Sequence, residues 1–223
     1  MRFRLPIRQF CTKMLTASAF IASLISCKST REREFSPAES SLIKSSDSIM
    51  RVLTINRKED VAVLRGISTE LSAEILLSDD YRKLSELMLA TVTHLSQDGV
   101  GIAAPQVGLN RRVVAVQRFD KEPDSLGNYP FEVYANIRIV SASDTLAPGS
   151  EGCLSVPDRD GEVMRSQSIE IEYTDLEALK ADNARDGKLP TVRESVTGFT
   201  AVIFQHEIDH LEGILYIDKL VQQ

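Results

Sequence analysis

Two histidines four residues apart, His206 and His210, restrict this chain more than any other feature of its sequence. On a helix this spacing places both imidazoles on one face, where their ring nitrogens can reach a single metal ion. Glu207 stands beside them, where a carboxylate can act as the base for a metal-activated water. The alternative is a chance pair on an amphipathic helix, but the chain has only three histidines. The pattern therefore predicts a metal-binding helix around residues 205–213.

A catalytic metal site usually has three protein ligands and leaves one position open for water. The remaining histidine, His94, lies on a different predicted helix, where a surface or core role fits it better. The third ligand is then a cysteine or a carboxylate. Cys153, within the sequence Glu-Gly-Cys-Leu-Ser at residues 151–155, is the best candidate, because Cys11 and Cys27 both lie near the start of the chain.

Composition narrows the class of protein. With 223 residues, 43% hydrophobic and 26% charged, the chain has the make-up of an ordinary globular protein of one or two domains. Its formal net charge is −6, although the first 27 residues contain four basic residues and no acidic ones. The remainder is therefore more acidic still. Without a basic stripe to neutralise phosphates, the chain is not expected to bind nucleic acid.

Residues 1–27 have the pattern of an export signal: a basic start, an apolar run and then small residues before Cys27. The end of this segment, Leu-Ile-Ser-Cys at residues 24–27, resembles the lipobox of bacterial lipoproteins, in which the cysteine is acylated. The alternatives are a buried N-terminal helix or a misassigned start codon. Residues 28–49 are rich in serine and charge and are predicted to form a flexible tether. The catalytic domain is expected over residues 50–223.

The rest of the chain predicts an α+β domain, with mixed or antiparallel strands around a central metal-binding helix. One helix is expected from an N-cap at Ser78 or Asp79 to about Leu95, and the metal helix from Gly198 to about Leu211, before Gly213. The charged segment 175–188 is predicted to be a loop with one helical turn. Strands are predicted at 51–55, 112–117, 131–140, 168–173, 191–196 and 214–216.

A glycine-rich stretch, residues 99–108, precedes the second of these strands. It is no phosphate loop, since a Lys-Ser/Thr pair is missing and the spacing does not match the dinucleotide fingerprint. Small residues here allow backbone amides to approach a ligand closely, and the Gln106 amide is suited to stabilising a developing oxyanion.

Together the segments 99–106, 151–155 and 205–213 resemble the three signature motifs of the peptide deformylases, in the family's order and at compatible distances. The resemblance extends thinly from about Val52 to Leu220. It implies hydrolysis of N-formyl-methionyl peptides to formate and a free amino terminus. It also implies a monomer that holds one divalent metal ion, Fe²⁺ in many members and Zn²⁺ or Ni²⁺ in others.

The resemblance also assigns residues. The implied metal ligands are Cys153, His206 and His210. The implied catalytic groups are Glu207 as general base, with Gln106 and the backbone N–H of Leu154 as oxyanion donors. The implied substrate site, which contacts the peptide backbone and the methionine side chain, comprises Val100, Gly101, Phe199, Val202 and Ile203.

The chain departs from the family's common pattern where Asn136-Ile137 and Arg165-Ser166 replace pairs that often end in proline, and where the 175–190 connection is long. The export signal raises a larger question, because nascent chains are deformylated at the cytoplasmic ribosome. Either the protein is exported and lipid-anchored at Cys27 in the cell envelope, where it acts on formylated peptides or another formyl amide, or the start codon is wrong and it is cytoplasmic. Two further hypotheses are a non-catalytic binding module and a zinc endopeptidase.

Overall fold

The computed structural model describes residues 33–97, 99–182 and 188–221. The helices are α1 (Pro37–Ser45), α2 (Lys58–Leu64), α3 (Ala73–Leu76), α4 (Asp79–Val92), α5 (Leu176–Asp182) and α6 (Gly198–Leu211). The strands are β1 (Gly101–Ala103), β2 (Val113–Gln117), β3 (Phe131–Ala135), β4 (Arg138–Ala142), β5 (Leu146–Cys153), β6 (Val156–Ser166), β7 (Ser168–Thr174) and β8 (Thr191–Thr197). Two 3₁₀ turns occupy Ala104–Val107 and Tyr216–Asp218.

The strands form three antiparallel sheets, ordered β1-β2-β3, β4-β7-β8 and β5-β6. The predicted α+β class is therefore confirmed. Among the described helices, none is long and apolar enough to cross a membrane.

Strand β2 shows why helix α6 is central. Val113 and Ala115 pack into one apolar cluster with α4, whereas Val114 and Val116 pack into a second cluster with α6. Because both faces of this sheet are covered, its middle strand is a continuous apolar run rather than an alternating one. Helix α6 also contacts Ile169 and Ile171 of β7 through the same cluster. It therefore lies between two sheets, with most of its surface buried.

Several predicted boundaries are confirmed. Helix α4 follows Ser78, whose hydroxyl accepts a hydrogen bond from the Tyr81 N–H at 3.2 Å. It ends at Val92 rather than near Leu95, which is 97% exposed. Helix α6 occupies the predicted Gly198–Leu211. Gly213 follows it with φ +69°, and a Cβ there would lie 2.4 Å from the Arg65 carbonyl oxygen. A glycine is therefore required where this helix ends.

Other predictions differ from the structure. Residues 131–140 form two strands, because Asn136 turns the chain at φ 53° and its side chain bonds both backbone groups of Leu71. Residues 51–55 are not a strand, although Leu53 and Ile55 donate backbone hydrogen bonds to Gln106 and Ser155. The predicted strand at 214–216 is instead the approach to a 3₁₀ turn.

The β5–β6 hairpin was not predicted. Cys153 pairs with Val156 across a tight turn, and the register shifts at Gly152, which pairs with Asp160. After α6 the chain returns to this hairpin, where Leu220 forms a bridge with Val163. The β6 edge of the hairpin that supplies the cysteine is thus paired with the C-terminal segment.

The predicted tether at 28–49 also differs from the structure from residue 33 onward. Helix α1 begins with a capping box between Ser36 and Glu39, with Pro37 at its first position. Phe35 and Ile43 are buried in the α4 cluster. Local capping and two apolar anchors thus order a segment whose serine-rich composition suggested flexibility. Residues 28–32 and the predicted export signal at 1–27, with Cys27, lie outside the described residues.

Candidate active site

Helix α6 presents His206 and His210 on one face, with ring centroids 5.1 Å apart. Cys153, the last residue of β5, faces them from the hairpin, and its Sγ lies 3.2 Å from His210 Nε2. The ligand atoms of the three residues all lie within 4.8 Å of one another. His94 is exposed and contacts Ser96 instead. The structure thus brings the three predicted ligands together and leaves the third histidine apart.

Charged groups behind His206 fix the orientation of its ring. His206 Nδ1 lies 2.7 Å from Glu151 Oε2, and because an ionised carboxylate only accepts hydrogen bonds, Nδ1 must donate. Its Nε2 is then free for a metal, the arrangement that metal-binding histidines usually show. Arg165 donates to both oxygens of Glu151, at 2.7 and 2.9 Å, and to Asp209 at 2.5 Å.

Glu151, Arg165 and Asp209 were not identified from the sequence as site residues. Glu151 and Asp209 each stood inside a recognised motif, two residues before Cys153 and one before His210. That proximity was the available signal. Arg165 could not be found in this way, because it reaches the site only through the pairing of β5 with β6.

The two histidines lie in different electrostatic surroundings: burial, and then the charge of His206, lower the pKa of His210, whereas His206 lies beside acidic groups. Burial raises the pKa of Glu151, but Arg165 and His206 outweigh it and lower the pKa to about 2. Burial lowers the pKa of His206, but Cys153 and Glu151 raise it to about 10. A sulfur and two imidazoles, backed by an ionised carboxylate, form a donor set that suits a divalent metal ion.

Glu207 is buried beside the ligands, and its Oε2 has no hydrogen-bond partner among the described residues. Burial raises its pKa to about 7, although the charge of His206 opposes this. A carboxylate with a pKa near neutrality is suited to accepting and returning a proton. Gly101 lies against it, since a Cβ there would stand 2.5 Å from Glu207 Oε1.

Gln106 lies in the 3₁₀ turn after β1 and is almost fully buried. Its Oε1 accepts a hydrogen bond from the Ala103 N–H at 2.8 Å, which fixes the orientation of the amide. The Nε2 group then faces the metal ligands, 3.6 Å from Cys153 Sγ and 3.2 Å from Ser155 Oγ. The side-chain donor is therefore held beside the donor set.

A cavity of about 370 Å³ opens onto these groups. All five residues of the predicted substrate site line it: Val100, Gly101, Phe199, Val202 and Ile203. Gln106, Cys153, Leu154, His206 and Glu207 line it as well. His210 is not among the lining residues, in keeping with its nearly complete burial. The cavity is apolar on one side and carries the chemical groups on the other.

Comparisons with known proteins agree with this geometry. The sequence model of the polypeptide deformylase family matches residues 49–223. Peptide deformylase 2 of Gloeobacter violaceus is 40% identical over 161 residues, which cover 72% of this chain and 75% of that protein. The peptide deformylase of Caulobacter vibrioides is 36% identical over 172 residues, 77% of this chain and 88% of that protein.

Solved structures give the same result. A class I type b peptide deformylase from Acinetobacter baumannii, bound to Met-Ala-Ser, has a TM-score of 0.62 and 34% identity, covering 77% of this chain and 98% of that one. Peptide deformylase from Thermotoga maritima has a TM-score of 0.62 and 27% identity, covering 79% of this chain and 100% of that one. The chain is a metal-dependent enzyme and belongs to the peptide deformylase family.

Proposed function

We propose that this chain removes the formyl group from N-formyl-methionyl peptides with one divalent ion, Fe²⁺ or alternatively Zn²⁺ or Ni²⁺, held by Cys153, His206 and His210. The observation that carries the proposal is that this donor set lies beside the buried carboxylate of Glu207 at a largely apolar cavity, and that Glu207 Oε2 has no hydrogen-bond partner in the described part of the chain. When bound, the ion supplies Lewis acidity, which lowers the pKa of water and polarises the formyl carbonyl.

Glu207 moves the proton in this scheme. It accepts a proton from the attacking water and delivers it to the nitrogen of the departing peptide. The water oxygen first adds to the formyl carbon, which places negative charge on the formyl oxygen. The C–N bond then breaks as the nitrogen takes the proton, and the products are formate and a free amino terminus. The pKa of about 7 supports both roles, because the group can hold or release a proton near neutral pH.

Gln106 Nε2 and the Leu154 N–H are the proposed donors to the negative charge that develops on the formyl oxygen. The position of Nε2, 3.6 Å from Cys153 Sγ, supports this role for Gln106. The Gly101 backbone would align the peptide, and the methionine side chain would occupy the apolar part of the cavity, among Val100, Phe199, Val202 and Ile203. A shape-matched apolar pocket is how a site selects such a side chain.

The experiment is formate release from formyl-Met-Ala-Ser by the full chain, purified without oxygen. Glu207→Gln should lower the rate about 10²- to 10⁴-fold, the usual contribution of a general base. Glu212→Gln is the matched control, since Glu212 follows the same helix but forms an ion pair with Arg112 that is partly exposed. Equal rates for the wild type and Glu207→Gln would exclude Glu207 as the base.

The same assay separates the alternatives. A zinc endopeptidase would cleave an internal bond in an unformylated peptide, whereas a deformylase would leave it intact. A binding module would retain the formylated peptide without releasing formate, with either Fe²⁺ or Zn²⁺ loaded. Activity on another formyl amide but not on formyl-Met-Ala-Ser would redirect the proposal to that substrate.

The identity of the ion is a separate hypothesis, because this donor set accepts several divalent metals. An Fe²⁺–thiolate centre is prone to oxidation at Cys153, and an exported member would therefore use Zn²⁺. Metal analysis of protein taken from its native compartment tests this, and a predominance of iron would refute it.

Anchoring through Cys27 remains a prediction from the sequence, as does the monomeric state. Fractionation of cells that express the wild type or Cys27→Ser should show the wild type with the membranes and the variant released from them. If the wild type and the variant were both found in the cytoplasmic fraction, the result would favour a misassigned start codon and a cytoplasmic enzyme. Sedimentation of the purified chain would test the monomer.

A further inference from the structure

Residues 33–48, which we call the strap, precede the matched family region, residues 49–223. They are nevertheless packed against the domain. Ile43 is fully buried and Phe35 nearly so, both in the cluster built around α4. Ser72 donates its backbone N–H to the Arg33 carbonyl at 3.1 Å and its hydroxyl to Glu34 at 2.8 Å. A segment that only connected the predicted export signal to the domain would not need these contacts.

Glu39 of the strap forms an ion pair with Arg111 that is more buried than the Arg33–Glu70 and Lys44–Asp80 pairs. Nε and Nη2 of Arg111 each donate to one oxygen of Glu39, both at 2.7 Å. The pair is largely buried, with side-chain exposures of 8% for Arg111 and 16% for Glu39. Arg111 also donates to the Glu34 carbonyl and lies 5.8 Å from the centre of the Phe35 ring. A two-point contact of this kind fixes orientation as well as distance.

Arg111 lies five residues after Gln106, at the end of the loop that follows the 3₁₀ turn. The strap touches this loop at a second point, where Leu42 Cδ2 lies 3.1 Å from the position that a Cβ on Gly108 would take. The segment that follows the strap holds the loop at a third point, because the Leu53 N–H donates to the Gln106 carbonyl at 2.7 Å. Three contacts thus reach residues 106–111 from the N-terminal side.

We propose that the strap is part of the catalytic unit and that Glu39 is a positioning residue, which holds the loop 106–111 through Arg111 so that the Gln106 amide stays beside the metal ligands. The effect on catalysis rests on the proposed role of Gln106, whereas the effect on the loop does not. The catalytic unit of this chain then begins near residue 33 rather than at the family boundary.

The kinetic experiment compares Glu39→Gln with Glu59→Gln in the full chain. Both changes remove one carboxylate charge next to an arginine, but the Arg57–Glu59 pair is exposed. Since displacement of a catalytic group by about 1 Å can cost up to about 10²-fold, we expect Glu39→Gln to lower kcat about tenfold, with KM within about twofold. The metal content of Glu39→Gln should equal that of the wild type. The kcat and KM of Glu59→Gln should also equal those of the wild type.

A double-mutant cycle that combines Glu39→Gln with Arg111→Met distinguishes a positioning role of Glu39 from a general loss of stability. All rates are measured well below the unfolding temperature of the least stable variant. If the pair acts as a unit, the double variant Glu39→Gln/Arg111→Met should be no slower than Arg111→Met alone. Additive losses, an equal loss in Glu59→Gln, or a loss explained by missing metal would overturn the proposal.

Hydrogen exchange tests the structural part without any activity. The Gly108 and Leu109 amides donate to Pro105 and Ala104 within the loop and report directly on its order. They should exchange faster in Glu39→Gln than in Glu59→Gln. Unchanged exchange would overturn the proposal even if formate release behaves as expected. If the wild type releases no formate but these amides respond, the proposed function fails while the structural role of the strap stands.

Discussion

Two arginines are buried to a similar degree in this protein, Arg165 at 4% and Arg118 at 1% side-chain exposure, but only one belongs to the active site. Arg165 pairs with Glu151 and Asp209. Arg118 pairs with three carboxylates, which are those of Asp120, Glu132 and Glu194. The charge and burial of the two arginines alone therefore do not distinguish the two networks.

The difference lies in what the carboxylates contact next. Glu151 bonds His206, and its side chain is only 6% exposed. The partners of Arg118 are 26–34% exposed and open to water, and the guanidinium lies over the rings of Tyr134 and Phe204. A buried ion network therefore indicates chemistry only where one of its members touches the donor set. The Arg118 network joins helix α6 to the strands.

The largest effect should come from Arg165→Met. It leaves the buried Glu151 without its arginine, whereas Asp209 keeps its ion pair with Lys219. Removing one partner of a buried pair in this way should cost about 3–5 kcal/mol in the free energy of unfolding. Metal affinity should also fall about 10- to 100-fold, because His206 loses its fixed orientation. Urea unfolding and competition with a chelator measure the two quantities. Arg159→Met, on the exposed part of the same hairpin, is the control. Unchanged metal affinity in Arg165→Met would show that Arg165, like Arg118, does not support the metal ligands.

Arg118→Met should destabilise the protein without weakening metal binding. Because its partners are partly exposed, we expect a smaller loss of about 2 kcal/mol. For a chain of this size, that loss lowers the unfolding temperature by about 4–8 °C. The chelator competition used for Arg165→Met should give the wild-type affinity. A tenfold loss of metal would instead show that the Arg118 network reaches the site through α6.

Asp60 extends the comparison of the two buried arginines to a third ion pair, in which the carboxylate is buried and its arginine partner, Arg51, is exposed. Hydrogen bonds from Arg51 and the Thr54 N–H lower the pKa of Asp60 from its ordinary 3.8 to about 2, although burial opposes this. A depressed carboxyl pKa stabilises the fold above the unfolded value and loses that contribution as pH falls through the folded one. Asp60→Asn should therefore reduce the pH dependence of unfolding between about pH 4 and 2. An unchanged slope would contradict the assignment.

The smallest effect should come from Tyr173→Phe, at the edge of the Arg118 network. It removes one hydrogen bond from the Tyr173 hydroxyl to Glu194, at 3.3 Å, and keeps the ring that packs edge-on against Tyr134. We expect a loss of about 0.5 kcal/mol in unfolding free energy, the low end for a neutral donor. A loss above about 2 kcal/mol would mean that the network is more strongly coupled than its exposure indicates.

The sequence predicted those parts of the site that depend on local spacing. The bounds of α6 followed from its glycines and its apolar side, and Cys153 followed from the few cysteines that the chain contains. The resemblance to the family also rested on contiguous motifs, and the family match over residues 49–223 confirms it. These features need only the order of nearby residues.

The parts that were missed depend on contacts between distant residues. The β5–β6 hairpin carries Pro148, Gly149 and Gly161, which read as turn residues, and its pairing cannot be inferred without the partner strand. Arg165 enters the site only through that pairing. Helix α1 was hidden by its serine-rich composition, although its capping box was present in the sequence. Burial of Ile43 depends on α4, which lies far along the chain.

The contact between Gly101 and Glu207 has an evolutionary consequence. A side chain at position 101 would displace the carboxylate, since even a Cβ would stand 2.5 Å from its Oε1. The two positions therefore cannot drift independently, and under selection for activity a library at position 101 should return only glycine. For an inhibitor that bonds the backbone there, we therefore expect substitutions at position 101 that weaken its binding to lower activity as well.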